Sequence, residues 1–268
     1  MPISIDQLFY HPIKSLGGIS TNRLRLSQDG PERDRHIMVV NDQGKFVTQR
    51  QKPIMSMVKV VDDGHQLTLS LAEKNASFKW PNFSEKSETT QVTVWGDELE
   101  GQKIEGPVNS WLSDILKQDV QLVYKHTNTR RQVDMTFGKE GDTTGFSDGF
   151  PVLLISQPSI DFLQSHLDVP ISMARFRPNI SVTGCEPFEE DSWKRIRIND
   201  VEFDLVKPCS RCVIPTIDLK TGEKQKQVMQ VMLEHRRQGK QVYVGQNLIH
   251  RGVGEIAVGA EVEVLERY

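Results

Sequence analysis

Between residues 37 and 100 the chain repeats one pattern three times: a short β-prone run, a few turn residues, and a second such run. Ile37-Met38-Val39-Val40 is followed by Asn41-Asp42-Gln43-Gly44 and then Lys45-Phe46-Val47-Thr48. Residues 57–61 and 66–71 flank Asp62-Asp63-Gly64-His65; Val92-Thr93-Val94-Trp95 and Glu98-Leu99-Glu100 flank Gly96-Asp97. Alternating runs bounded by Gly, Asn and Asp specify antiparallel hairpins. Hairpins this closely spaced, with no long helix between them, specify a barrel or sandwich. A half-apolar extended stretch at 6–11 precedes them.

The period changes at 108–116, where Trp111, Leu112, Ile115 and Leu116 fall at helical spacing and predict a short amphipathic helix. A strand is expected at 119–125. Residues 128–149 are polar, carry Arg130 and Arg131, and are rich in Gly, Asp and Thr, the composition of a linker or a functional loop. A strand at 151–156 then runs into Ser156-Gln157-Pro158-Ser159, a helix start with Ile160, Phe162, Leu163 and Leu167 as its buried stripe. Strands are expected at 180–183, 196–198, 201–206, 212–217, 242–249 and 260–265. A helix is expected over 225–238, with Val228, Val231, Met232 and His235 on one face. The fold class is mainly β with a few helices (α+β), in two domains, 1–118 and 119–268.

With 268 residues and a net charge of −3, the chain is long enough for a sizeable core and is not a uniformly basic nucleic-acid binder. Any anion site must be a local gathering of Lys and Arg. No apolar run approaches the ~18–20 residues of a membrane span, and Met1-Pro2-Ile3-Ser4-Ile5-Asp6 lacks the regions of a signal peptide. Three cysteines do not make a disulfide framework in a chain this long. The expected location is the reducing cytoplasm, with neither membrane nor nucleic acid as a stable partner.

Two of those cysteines lie in Lys207-Pro208-Cys209-Ser210-Arg211-Cys212-Val213-Ile214-Pro215-Thr216. A thiolate beside a fixed cation such as Arg211 is a good nucleophile or soft-metal ligand. Structural zinc needs four ligands; Cys185 is the one other thiol, and His235 and His250 are not spaced like a finger. A thioredoxin-like dithiol needs a helix N-terminus, whereas Cys212 runs into β-branched, proline-broken sequence. Two unreactive cysteines in strands remain the plain alternative. His11-Pro12-Ile13-Lys14-Ser15, Glu32-Arg33-Asp34-Arg35, Ser147-Asp148-Gly149-Phe150-Pro151 and Arg175-Phe176-Arg177-Pro178-Asn179 each read singly as a bend, a solvated charge cluster or a turn. If they converge, Lys14, Arg35, Arg177 and Arg211 suit a polyanion carrying a phosphate.

These segments, in this order and with Gly245-Gln246-Asn247, resemble the MOSC family (molybdenum cofactor sulfurase C-terminal domain) preceded by its N-terminal β-barrel companion. The resemblance spans almost the whole chain and is similar in kind to bacterial YcbX-type proteins and the mitochondrial amidoxime-reducing component. It implies molybdenum-molybdopterin, the molybdenum cofactor, bound between the domains. It places the metal-binding thiolate, and with it the catalytic role, on Cys212; such a soft ligand suits a redox-active centre. It places the phosphate end of the cofactor on Lys14, Ser15 and Arg35, loop contacts on Asp148, Gly149 and Phe150, and a further cationic contact on Arg177. Ser210 and Arg211 are placed beside the metal, Asn247 against the cofactor, and Cys209 as a buried neighbour.

The implied activity is reduction of small N-hydroxylated substrates: hydroxylamines, amidoximes and N-hydroxylated bases. His11 and His36 stand where the family commonly has aromatics. Some YcbX-type relatives continue into a ferredoxin-like domain; with no cysteine after Cys212, this sequence is expected to draw electrons from a separate redox protein. The alternative is a carrier module that delivers cofactor or persulfide sulfur to another enzyme, as in sulfurases, whose sulfur-abstracting part is a pyridoxal-phosphate domain. No such domain is expected within 268 residues.

Overall fold

The computed structural model describes residues 2–80, 88–126 and 128–268. The fold is mainly β with a few helices, as the hairpin spacing specifies. The largest sheet runs, in spatial order, Val262–Arg267, Trp193–Ile198, Val201–Ser210, Gln241–His250, Val152–Ser156, Ile180–Thr183, Ser4–Tyr10 and Ile19–Thr21, with Arg237–Gln238 pairing onto Gln241–His250. All its pairs are antiparallel except Val152–Ser156 with Ile180–Thr183. That parallel step needs a crossover, and the helix Gln157–Ser165 lies in it. Ser156 caps this helix by accepting a hydrogen bond from the Ser159 backbone N–H, and Pro158 occupies the first turn, where a missing N–H costs nothing.

A second sheet orders Ile37–Asn41, Val120–Lys125, Asp97–Ile104 and Thr89–Val94. Two three-stranded sheets complete the scaffold: Lys59–Asp62, Gln66–Leu71 and Lys74–Lys79; and Gly254–Ala257, Arg23–Ser27 and Gly30–Pro31. The sheets interleave across the expected domain boundary near residue 118. Ser4–Tyr10 is an inner strand of the sheet formed otherwise from residues after 150 (and Ile19–Thr21), while Val120–Lys125 lies between strands from the first 104 residues. Separate cores match the layers: Ile5, Leu8, Leu154, Trp193, Phe203 and Leu248 under the large sheet, and Ile13, Ile37, Val58, Leu67, Leu112 and Leu122 beneath the amino-terminal hairpins.

Two expectations are corrected. The arm 45–48 is held by single bridges, Val40 with Phe46 and Lys45 with Thr93, instead of forming a strand. The expected strand at 212–217 is a loop and a short 3-10 turn, Ile214–Thr216. Pro215 has no N–H to give a ladder, and the Thr216 hydroxyl donates back to the Val213 carbonyl at 2.6 Å, so the β-branched residues close a turn instead. The helix Lys226–Arg236 is present, with Val228, Val231 and Met232 buried. Residues 128–149 form no strand or helix among the described residues.

Candidate active site

A cavity of about 580 Å³ opens where the sheets meet. All eleven residues singled out in the sequence line it: Lys14, Ser15, Arg35, Asp148, Gly149, Phe150, Arg177, Ser210, Arg211, Cys212 and Asn247. They arrive from five places in the fold. Lys14 and Ser15 follow Ser4–Tyr10, and Arg35 precedes Ile37–Asn41. The end of the polar loop supplies Asp148 to Phe150. Arg177 follows the one-turn helix Met173–Phe176. The long antiparallel strand pair Val201–Ser210 and Gln241–His250 brings the rest. Register shifts around Lys207 and Pro208 break the ladder just before the cysteines, turning Ser210 to Cys212 toward the cavity.

Backbone strain gathers at the same place. Ser15, Arg35 and Arg177 hold φ of 67°, 51° and 57°, a left-handed conformation uncommon for residues with a Cβ and enriched at functional sites. The contacts that hold them are specific. Arg35 donates to Asp34 (2.5 Å), to Asn179 Oδ1 (3.1 Å) and to the Arg177 carbonyl (2.8 Å). Arg177 Nη1 donates to the Leu16 carbonyl at 2.5 Å. Among the described residues its buried Nη2 has no partner, nor has the buried Nε of Arg211. Asn179 is fully buried and ties Phe9, Leu153 and Arg35 together.

The cavity's electrostatics are one-sided. Among the described residues Lys14, Arg35, Arg50, Arg177, Lys207 and Arg211 line it against a single carboxylate, Asp148. Burial, reinforced by the Arg35 charge, pushes Arg177 down to about 9. Burial likewise pushes Lys14 down to about 8, against Asp148, whose Oδ1 its Nζ meets at 2.5 Å. Enclosure raises the Asp148 carboxyl, but Lys14 and Arg50 more than reverse this and hold it well below the usual carboxylate range. Concentrated positive charge with unpartnered N–H groups inside a protein of negative net charge is the complement of a bound anion.

The thiols differ from expectation. Cys209 is half-buried and lines the cavity, where Arg211 Nη1 donates to its sulfur at 3.2 Å; it is not a buried neighbour. Cys212 is met by Arg50, whose Nε donates to Cys212 Sγ at 3.2 Å and whose Nη2 donates to Asp148 Oδ2 at 3.2 Å. The cation facing Cys212 is therefore Arg50 and not its sequence neighbour. Arg50 and Trp95 are site residues to which the sequence reading gave no role, and Lys207 and Asn179 stood in its motifs without one. Arg50 lies in Thr48-Gln49-Arg50-Gln51-Lys52, just past the expected arm 45–48, in a stretch to which the sequence reading gave no element and no role. Trp95 was expected to end a strand before a Gly96-Asp97 turn; the structure pairs Val94 with Asp97, so the turn residues are Trp95 and Gly96 instead.

Fold and cavity define a mainly β scaffold around a cationic, thiol-bearing pocket. Residues 3–119 match the MOSC N-terminal beta barrel domain and residues 141–263 the MOSC domain; the chain belongs to the MOSC family. It is 31% identical to the human mitochondrial amidoxime-reducing component 1, over 98% of this chain and 83% of that protein. It is 30% identical to the rat mitochondrial amidoxime reducing component 2, over 82% of this chain and 68% of that protein. The YUAD protein structure from Bacillus subtilis is similar at a TM-score of 0.45 and 11% identity, covering 98% of this chain and 95% of that one, a likeness too slight to bear on function. Among the described residues no helix is long and apolar enough to cross a membrane.

Proposed function

We propose that this protein is a molybdenum-cofactor-dependent oxidoreductase that reduces N-hydroxylated compounds with electrons from a separate redox protein. The observation that carries the reading is the Cys212 thiol set into a cavity with six cationic side chains and one carboxylate among the described residues. Among those residues no three His, Cys, Asp or Glu side chains gather to hold a metal ion. A metal at Cys212 would bring ligands of its own, as an organic anionic cofactor provides. The names of the relatives, amidoxime-reducing components, agree with the reaction class.

In this reading Lys14, Ser15, Arg35 and Arg177 hold the cofactor's phosphate end, with Arg177 Nη2 as a ready donor. Asp148, Gly149 and Phe150 close one side; Ser210, Arg211 and Asn247 close the other, and Cys212 supplies the metal thiolate. When bound, the molybdenum cofactor supplies the two-electron redox chemistry. The balance for an amidoxime is two electrons and two protons in, N–O cleavage, and an amidine plus water out. The chain's own part is positional. Arg50 holds the sulfur through Nε and is itself held by Asp148, which Lys14 fixes from the other side. Its three cysteines are free thiols, in keeping with a cytoplasmic setting.

Protein produced in a host that makes the cofactor is expected to carry molybdenum in near one-to-one ratio and to reduce a hydroxylamine or amidoxime with dye-supplied electrons. Cys212→Ala is expected to abolish that reduction, and Cys209→Ala to leave most of it. Consistent absence of molybdenum would sink the proposal; full activity of Cys212→Ala would remove the metal-ligand role from this residue.

A further inference from the structure

The hairpin joining Thr89–Val94 to Asp97–Ile104 turns on two residues, Trp95 and Gly96, with Val94 and Asp97 paired across it. The first of them carries the positive φ, 57° at Trp95, at a turn position where Gly or Asn is favoured and a bulky side chain is strained. Burial does not compensate, because Trp95 is 48% exposed. Its indole lines the cavity instead. The candidate site also holds it in place. The Arg50 guanidinium lies 4.6 Å from the ring centroid, Nε1 donates to Asp148 Oδ1 at 3.3 Å, and Phe46 tilts against the ring at 5.3 Å. Because Arg50 also reaches Cys212 Sγ, one guanidinium spans the distance between indole and thiol. A strained, half-exposed and oriented indole beside the reactive sulfur is a stacking surface more readily than a packing element.

We infer that Trp95 is a specificity-determining wall of this site, selecting N-hydroxylated compounds whose N–O-bearing carbon is conjugated to a planar aromatic or heteroaromatic ring. The inference rests on the reductase reading for the chemistry of the substrate, and on the indole's placement for its shape. A flat aryl amidoxime offers a π-face continuous with its functional group. Its cyclohexyl counterpart presents the same donors and acceptors at similar bulk without that face. Aromatic stacking of this kind separates two such ligands by about tenfold in affinity.

The test is equilibrium binding of benzamidoxime and cyclohexanecarboxamidoxime to the cofactor-loaded protein without reductant, by calorimetry and tryptophan fluorescence. The wild type is expected to bind the aryl compound about tenfold more tightly and to show indole quenching. Trp95→Phe is expected to keep the preference and lose the quenching, since Trp111 and Trp193 belong to cores and Trp80 is turned to Asp62. Trp95→Gly, which takes the positive φ without strain, is expected to melt no lower than wild type and to bind both probes equally. An aryl preference surviving in Trp95→Gly, no preference in the wild type, or a Trp95→Gly protein melting well below wild type would each overturn the inference. Because binding is read without turnover, the two readings separate: a protein that prefers the aryl probe through Trp95 yet fails to reduce it in the separate dye-supplied assay overturns the reductase reading while the wall stands.

Discussion

Arg50 is the residue whose contacts say most about how the cavity is organised. It donates to a sulfur and to a carboxylate and stacks on an indole, three partners drawn from distant parts of the chain. Only a planar fork of donors can do this at once; a lysine ammonium would satisfy one partner and leave the others. Arg50→Lys and Arg50→Ala are therefore both expected to lower molybdenum retention or kcat by about 10–100-fold, the usual cost of removing a group that orients a metal ligand. Metal analysis and steady-state kinetics read this directly, with circular dichroism unchanged; full molybdenum and full kcat in both variants would make Arg50 a rim residue. The sequence did point to Cys212, Lys14 and Arg177, because their motifs are compact. It did not point to Arg50, since nothing local to Gln49-Arg50-Gln51 reports a thiol 162 positions later. Adjacency misled at Arg211, whose guanidinium turns back to Cys209 because the chain leaves the strand in between.

The antiparallel pair of Val201–Ser210 and Gln241–His250 is the element on which the cavity wall depends. Gly245 sits in its second strand with φ of 81°, and a Cβ there would lie 2.5 Å from Ile155 Cγ1 and 2.7 Å from the Leu154 carbonyl oxygen. No rotamer of the neighbours relieves a backbone clash, so Gly245→Ala is expected to destabilise the protein by roughly 2–4 kcal/mol. Urea unfolding checks this, and a loss under about 0.5 kcal/mol, the range of ordinary surface changes, would contradict it. Since Asn247 follows two residues on, the same variant should loosen the cavity wall. Strand alternation and helix starts such as Ser156-Gln157-Pro158-Ser159 were legible from local chemistry. The stretch after Cys212 was not, because β-branched residues favour a strand by propensity while one proline and one hydroxyl–carbonyl bond decide for a turn. The short strand Gly254–Ala257 was passed over because its pairing with Arg23–Ser27 is tertiary, and Ile19–Thr21 because it has only three residues and pairs back to Ser4–Tyr10 across a long loop.

Taken as a whole molecule, the protein stores positive charge internally while its sequence sums to −3, which is why composition alone is silent about the cavity. His11 records the consequence for stability. Burial, then the charges of Arg35 and Arg177, push its imidazole down to about 3 from an ordinary 6.5. A histidine kept neutral in the fold but protonated when unfolded gives full stability above pH 6.5, lost progressively as pH falls toward 3. Unfolding free energy should fall by about 1.4 kcal/mol per pH unit well below 6.5 from this group alone. His11→Phe, which removes the titration and keeps a ring, should flatten that slope by one proton's worth; an unchanged slope from pH 6 to 5 would show that other groups set it. The interleaving of the sheets has a further consequence, at the ribosome. Ser4 must pair with Thr183, so the first strand, though Ile19–Thr21 soon covers one side, emerges long before its second neighbour exists. At about 5–20 residues per second the wait is on the order of 10–35 s, during which an apolar strand edge stands open. The nascent amino-terminal third is the stretch that a holdase would be needed to shield, and severing the gene between the expected domains would leave each half with a sheet lacking an inner strand.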